Sequence, residues 1–96
     1  EFYYAGLLSR DDKERERKLI YLKKLNIPII ILDTPYRMNK VLNAIKKVYS
    51  KNKIVGLCLD LTTEKEDIII DEIGNICDMF NKAESKNRRE FVIIIS

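Results

Sequence analysis

Three short segments concentrate the polar groups that could bind or orient a ligand: Gly6-Leu7-Leu8-Ser9-Arg10, Asp33-Thr34-Pro35-Tyr36-Arg37 and Asp60-Leu61-Thr62-Thr63-Glu64. Asp33, Tyr36, Arg37, Asp60, Thr62 and Glu64 supply carboxylates, hydroxyls and a guanidinium, a set suited to holding and orienting a polar molecule. Each alone also suits a plainer role as a cap or turn residue. The chain has no histidine, so the commonest general base and metal ligand is missing. It contains no Walker A loop, no G-x-S-x-G and no C-x-x-C, and Gly6, Gly56 and Gly74 build no glycine-rich phosphate cradle. A self-contained catalytic site is hard to assemble from this set. Binding and alignment are the chemistry it favours.

The elements that must position these residues follow from apolar spacing. Residues 2–8 read as a strand. Ser9 or an aspartate after it caps a helix over residues 12–25, where Leu19, Leu22 and Leu25 recur at helical spacing and Asn26 stops the run. Residues 28–32 form an isoleucine-rich run typical of a strand covered on both faces. Thr34 can cap the next helix, with Pro35 at its first position. Met38, Val41, Leu42, Ile45, Val48 and Tyr49 define that helix. Residues 54–61 read as a second buried strand, 62–66 as a polar loop, 67–70 as a short strand and 74–82 as a short helix. Residues 82–90 form a polar connection, and 91–95 a final strand that is expected to be central. The order β-α-β-α-β-β-α-β predicts an α/β fold: a five-stranded, mainly parallel but mixed sheet with three helices. In such a sheet the three polar segments lie at the carboxyl ends of strands, where ligands collect.

Composition sets the bounds. Ninety-six residues, 46% hydrophobic and 34% charged, fit one domain spanning residues 1–96. No apolar run approaches the roughly 20 residues that span a bilayer, and no signal peptide is visible. Cys58 and Cys77 sit in apolar segments, as buried free thiols of a reducing, cytoplasmic protein do. A net charge of +3 does not by itself indicate nucleic-acid binding. Residues 13–24 nevertheless carry six Lys or Arg and residues 82–89 carry four, as solvated faces or as a contact with RNA phosphates.

The segments also carry a family resemblance. Phe2 to Arg10, Asp33 to Arg37, Asp60 to Glu66 and the closing Glu90-Phe91-Val92-Ile93 stand in the order and spacing of four marks of the tetrapyrrole methylase superfamily's C-terminal domain. They most resemble its ribosomal RNA small-subunit methyltransferase I branch. Ser9 replaces a proline of the first mark, Lys65 stands where many members have histidine, and Asp33 and Asp60 stand where the marks have glutamate. The resemblance implies a two-domain methyltransferase that binds S-adenosyl-L-methionine in the cleft between its domains. This chain, which opens inside an expected strand, would then be the C-terminal half, and its own N-terminal domain the first partner. Leu32, Asp33, Thr34, Cys58, Leu59, Leu61 and Thr62 fall at the family's cofactor-contacting positions. Arg10 and Arg37 match its motif arginines and are expected to position substrate. The implied reaction is 2′-O-methylation of a ribose in small-subunit ribosomal RNA. The alternatives are a corrin or porphyrin acceptor, and a non-catalytic RNA- or protein-binding module. A lone half of such an enzyme is expected to expose an apolar patch and to self-associate as a homodimer.

Overall fold

In the computed structural model, which describes residues 1–82 and 89–96, nine elements follow in order. They are β1 (Tyr3–Gly6), α1 (Asp12–Leu25), β2 (Ile29–Asp33), a single 3-10 turn (Pro35–Arg37), α2 (Met38–Tyr49), β3 (Ile54–Leu59), β4 (Asp67–Glu72), α3 (Ile73–Lys82) and β5 (Phe91–Ile95). Five strands and three helices alternate as the apolar spacing predicts. Most of the polar connection expected over 82–90 lies outside the described residues.

Local chemistry explains the boundaries. The Asp11 carboxylate accepts the Glu14 N–H at 2.9 Å and so caps α1. Asp12 and Glu14 in the first turn, and Lys23 and Lys24 in the last, complement the helix dipole. Asn26, in the left-handed conformation, ends it. The entry to α2 differs from expectation. Pro35 opens a 3-10 turn before the helix, and the Thr34 side chain makes no capping bond. The reason lies one residue earlier: Asp33 Oδ1 already accepts the Thr34 N–H at 2.6 Å and the Arg37 Nε–H at 2.8 Å.

The strands are ordered β1-β2-β5-β3-β4, which makes β5 central as expected. Only β1 and β2 pair in parallel; β2–β5, β5–β3 and β3–β4 are antiparallel. The expectation of a mainly parallel sheet is therefore corrected. It assumed that strands joined through helices lie side by side, whereas β5 inserts between β2 and β3 and runs against both. Because β2 and β3 are each antiparallel to β5, they share one direction with β1. The carboxyl ends of β1, β2 and β3 thus lie at the same end of the sheet.

One face of the sheet is covered. Ile29, Ile31, Val55, Leu57, Ile93 and Ile95 point into a core with Leu19 and Leu22 of α1, Val41, Leu42 and Ile45 of α2, and Ile73, Ile76 and Phe80 of α3. Each fully buried isoleucine contributes roughly 1.5–3 kcal/mol relative to exposure. The alternate residues face the other way. Leu32, Ile30 and Val92 are half-buried, while Ile94, Ile54, Ile68 and Ile70 are 37%, 52%, 55% and 73% exposed. Continuous apolar runs predicted cover on both faces of β2 and β3. The described residues cover one face and leave an apolar sheet surface open.

Candidate functional site

Three turns meet at the shared carboxyl end. After β1, Gly6 adopts φ +64°, a left-handed conformation that lets the chain leave the strand at once. Leu7 is exposed, Leu8 is buried and Arg10 is exposed. After β2, the Asp33 side chain is fully buried and is paired at 2.8 Å with Arg37, whose side chain is 18% exposed. Asp33 Oδ2 and Arg37 Nη1 are buried without a hydrogen-bond partner.

After β3, the chain turns through two left-handed residues, Asp60 (φ 48°) and Thr62 (φ 66°). Such a conformation is unusual for any residue with a side chain, and more so for a β-branched one. The loop is held by its own bonds. Thr63 donates to the Asp60 carbonyl through both its N–H (3.2 Å) and its Oγ1 (2.7 Å), and the Thr62 N–H donates to Glu66 at 2.9 Å. It is also held from outside. Asp60 makes two bonds with Glu90: its backbone N–H donates to the Glu90 carbonyl at 2.8 Å, and its side-chain Oδ1 accepts the Glu90 N–H at 3.1 Å. Arg89 donates to Asp60 Oδ2 and to the Lys65 carbonyl. The Arg89 hydrogen bond is the main cause holding the Asp60 carboxyl below the usual aspartate range, with the Arg89 charge and the Glu90 N–H adding to it.

The candidate cofactor residues divide among three places. Leu32 and Cys58 lie on the open face, each opposite Val92 in register, in a row continued by Ile68. Asp33 and Leu59 lie on the covered face, each opposite Phe91, and both side chains are buried. Thr34, Leu61 and Thr62 are exposed in the loops at the carboxyl end. Of the two motif arginines, Arg37 is committed to Asp33 and Arg10 is exposed. Tyr36 and Glu64 are also exposed. Asp33 and Asp60 form separate ion pairs, one with Arg37 and one with Arg89. Among the described residues no group of three His, Cys, Asp or Glu could hold a metal ion. Burial raises the Cys58 thiol pKa, with Glu66 adding to the effect, and raises that of Cys77; neither thiol is an activated nucleophile.

This surface suits one side of a flat, partly apolar ligand. Leu32, Val92 and Cys58 form an apolar row, and Leu61 and Thr62 stand beside its end with an aliphatic group and a hydroxyl. A groove of about 550 Å³ runs along the same open face, lined by Ile54, Gly56, Cys58, Ile68, Ile70 and Ile94 among others. From the sequence, Arg89 stood out only as one of the basic residues of 82–89, and Glu90 only as the first residue of the closing mark. Their role at the site depends on β5 lying next to β3.

No family model matches the chain. Curated relatives do. The chain is 29% identical over 94 residues to ribosomal RNA small subunit methyltransferase I of Bacillus subtilis, covering 98% of this chain and 31% of that protein. It is 29% identical over 98 residues to the protein of the same name from Leptospira borgpetersenii, covering 99% and 38%. The chain thus spans about a third of the length of these relatives. Among solved structures, a cobalt precorrin-4 methyltransferase of cobalamin biosynthesis superposes with a TM-score of 0.66 at 16% identity, over 97% of this chain and 39% of that one. The methyltransferase CobJ superposes with a TM-score of 0.62 at 13% identity, over 100% and 41%. In sequence along nearly its whole length the chain is similar to ribosomal RNA small subunit methyltransferases I, and in fold to the methyltransferases of these two solved structures.

Proposed function

We propose that this chain is the C-terminal domain of a two-domain, S-adenosylmethionine-dependent methyltransferase whose full-length form methylates a ribose 2′-hydroxyl of small-subunit ribosomal RNA in the cytoplasm. One observation carries the reading: 29% identity that extends over nearly the whole chain to two proteins named as ribosomal RNA small subunit methyltransferases; the ribose 2′-hydroxyl is what the family resemblance implies. The geometry supports it. The three polar segments share one end of the sheet, and the apolar row Leu32–Val92–Cys58, in which Cys58 is buried, lies on a face that the described helices leave uncovered.

When bound, S-adenosylmethionine supplies a sulfonium methyl group whose leaving group needs no acid to depart. The protein's part is then to align the acceptor and exclude water, which agrees with a site that has no histidine. Leu32 and Cys58 would form an apolar wall for the adenine ring. Leu61 and Thr62 would close its edge, and the backbones of Asp33 and Leu59 would line the floor. The Asp33–Arg37 pair fixes the turn that carries Thr34. Arg10, exposed, would be the arginine that meets a substrate phosphate.

Of the six basic residues of α1, Lys13, Arg17, Lys23 and Lys24 are exposed while Arg15 and Lys18 are drawn inward, so a stand-alone RNA-binding module stays an alternative reading. Arg15 is buried and bonded to Asp12 and the Arg10 carbonyl. Lys18 sits 5.3 Å from the centres of the Tyr3 and Tyr21 rings, and Lys23 lies 5.9 Å from that of Tyr49. A tetrapyrrole acceptor is the second reading, favoured by the name of one superposed structure, the cobalt precorrin-4 methyltransferase.

Calorimetric titration of S-adenosylmethionine into the full-length protein and into this 96-residue chain tests the proposal. Binding to the full-length protein alone supports a cofactor site shared between domains; binding to neither overturns the proposal. Methyl-labelled cofactor then separates the acceptors. Label in undermethylated small ribosomal subunits supports the RNA reading, and label in a tetrapyrrole precursor replaces it.

A further inference from the structure

We infer that Arg89 is a positioning residue of the cofactor site, acting by clamping both ends of the 60–66 loop so that Leu61 and Thr62 face the ligand. The inference rests on the proposed function and adds a residue to it.

The loop needs a clamp. Asp60 and Thr62 both hold a left-handed backbone that residues with a Cβ disfavour, and the loop's residues from 61 to 66 are exposed. Internal bonds from Thr63 and Glu66 shape the turn but do not fix it to the sheet. Arg89 does. Its Nε donates to Asp60 Oδ2 at the start of the loop, its Nη2 donates to the Lys65 carbonyl near the end, and its Nη1 lies 4.0 Å from Asp67 Oδ2 where β4 begins. One planar guanidinium therefore bridges the end of β3 and the start of β4. A lysine ammonium, a single point of charge, cannot span both at once.

The anchor is rigid because Arg89 directly precedes the central strand. Glu90, between Arg89 and β5, shares two bonds with Asp60, so the guanidinium projects from a backbone already fixed against the loop. Preorganisation of this kind is read in affinity: a loop that must be ordered on binding weakens the ligand it touches. Loss of the Arg89 clamp should therefore act on cofactor binding more than on turnover.

The test uses the full-length protein with Arg89→Gln, Arg89→Lys and Asp60→Asn. Expected for Arg89→Gln are S-adenosylmethionine affinity and KM weakened by about tenfold, with kcat within about twofold. Faster amide hydrogen exchange is expected across residues 60–66 but not across β2 or β5. Arg89→Lys should recover part of the affinity, because it can still pair with Asp60. Asp60→Asn should weaken binding in the same direction, and it decides the matter if Arg89→Gln does not fold. An Arg89→Gln protein that is folded and binds the cofactor within about twofold of wild type overturns the inference while leaving the proposed function standing. A wild-type protein that binds no cofactor overturns the proposed function and this inference with it.

Discussion

The buried pair of Asp33 and Arg37 makes an asymmetric prediction. Replacing Arg37 with Met leaves a carboxylate whose side chain has no exposure and whose remaining donor is the Thr34 N–H; Oδ2 already lacks a partner. Removing one member of a buried pair costs about 3–5 kcal/mol. Arg37 is 18% exposed and the pair sits at the end of the sheet, so the lower figure, about 3 kcal/mol, applies. Asp33→Asn is a milder change. The Asn oxygen can still accept from Thr34 and Arg37, no negative charge is stranded, and the expected cost is about 1 kcal/mol. At roughly 4–8 °C per kcal/mol for a domain of this size, Arg37→Met lowers the thermal midpoint by about 12–24 °C and Asp33→Asn by about 4–8 °C. Urea unfolding of the 96-residue chain, followed by circular dichroism, reads both costs. Equal costs for the two variants would refute the stranded-carboxylate reasoning.

Two further predictions follow from the open face and from Asp60. With Ile70 at 73% and Ile68 at 55% exposure, the 96-residue chain should self-associate at high concentration, and Ile70→Lys should return it to monomer by light scattering while changing stability by no more than about 0.5 kcal/mol; a wild-type chain that stays monomeric would show that this face needs no cover. The Asp60 carboxyl is held below its ordinary range, chiefly by the Arg89 hydrogen bond. Its contribution to stability is therefore fully present above the unfolded value of about 3.9 and is lost as pH falls through the lower folded value. Asp60→Asn should flatten that acid limb of the thermal midpoint against pH, and superimposable limbs would sink the assignment.

Element types were legible because local chemistry decides them here. α1 runs over the expected residues since Asp11 caps it and Asn26 turns left-handed after it, both short-range events written in the residue types. Two strands end earlier than their apolar content suggests. β1 stops at Gly6 and β3 at Leu59 because a left-handed residue, Gly6 or Asp60, turns the chain there. For glycine that was foreseeable. For aspartate it depends on the Glu90 and Arg89 bonds that fix it, and those are tertiary. The apolar runs of β2 and β3 misled for a different reason. A continuous apolar run does not say which residues of the chain provide cover. Helices cover Ile29, Ile31, Val55 and Leu57, while on the other face Ile54 is exposed and Ile30 and Leu32 are only half-buried.

The candidate site was half legible for one topological reason. The insertion of β5 between β2 and β3 makes three pairings antiparallel, yet two reversals cancel, so β1, β2 and β3 keep a common direction. Grouping the polar segments at one end needed only that common direction, and the expectation survives a sheet order it did not anticipate. Pairing them did need the order. Asp33 finds Arg37 four residues away, within the reach of local reasoning; Asp60 finds Arg89 twenty-nine residues away, and does so only because β5 lies beside β3. The strand insertion that hides Arg89 from the sequence also gives it rigidity. Phe91, directly after Glu90, pairs with Asp33 of β2 on one side and Leu59 of β3 on the other, whereas an arginine leading into an edge strand would precede a residue paired on one side only. A loop with two left-handed, non-glycine residues is best fixed from such a place, and the clamp and the central strand are therefore two consequences of one arrangement.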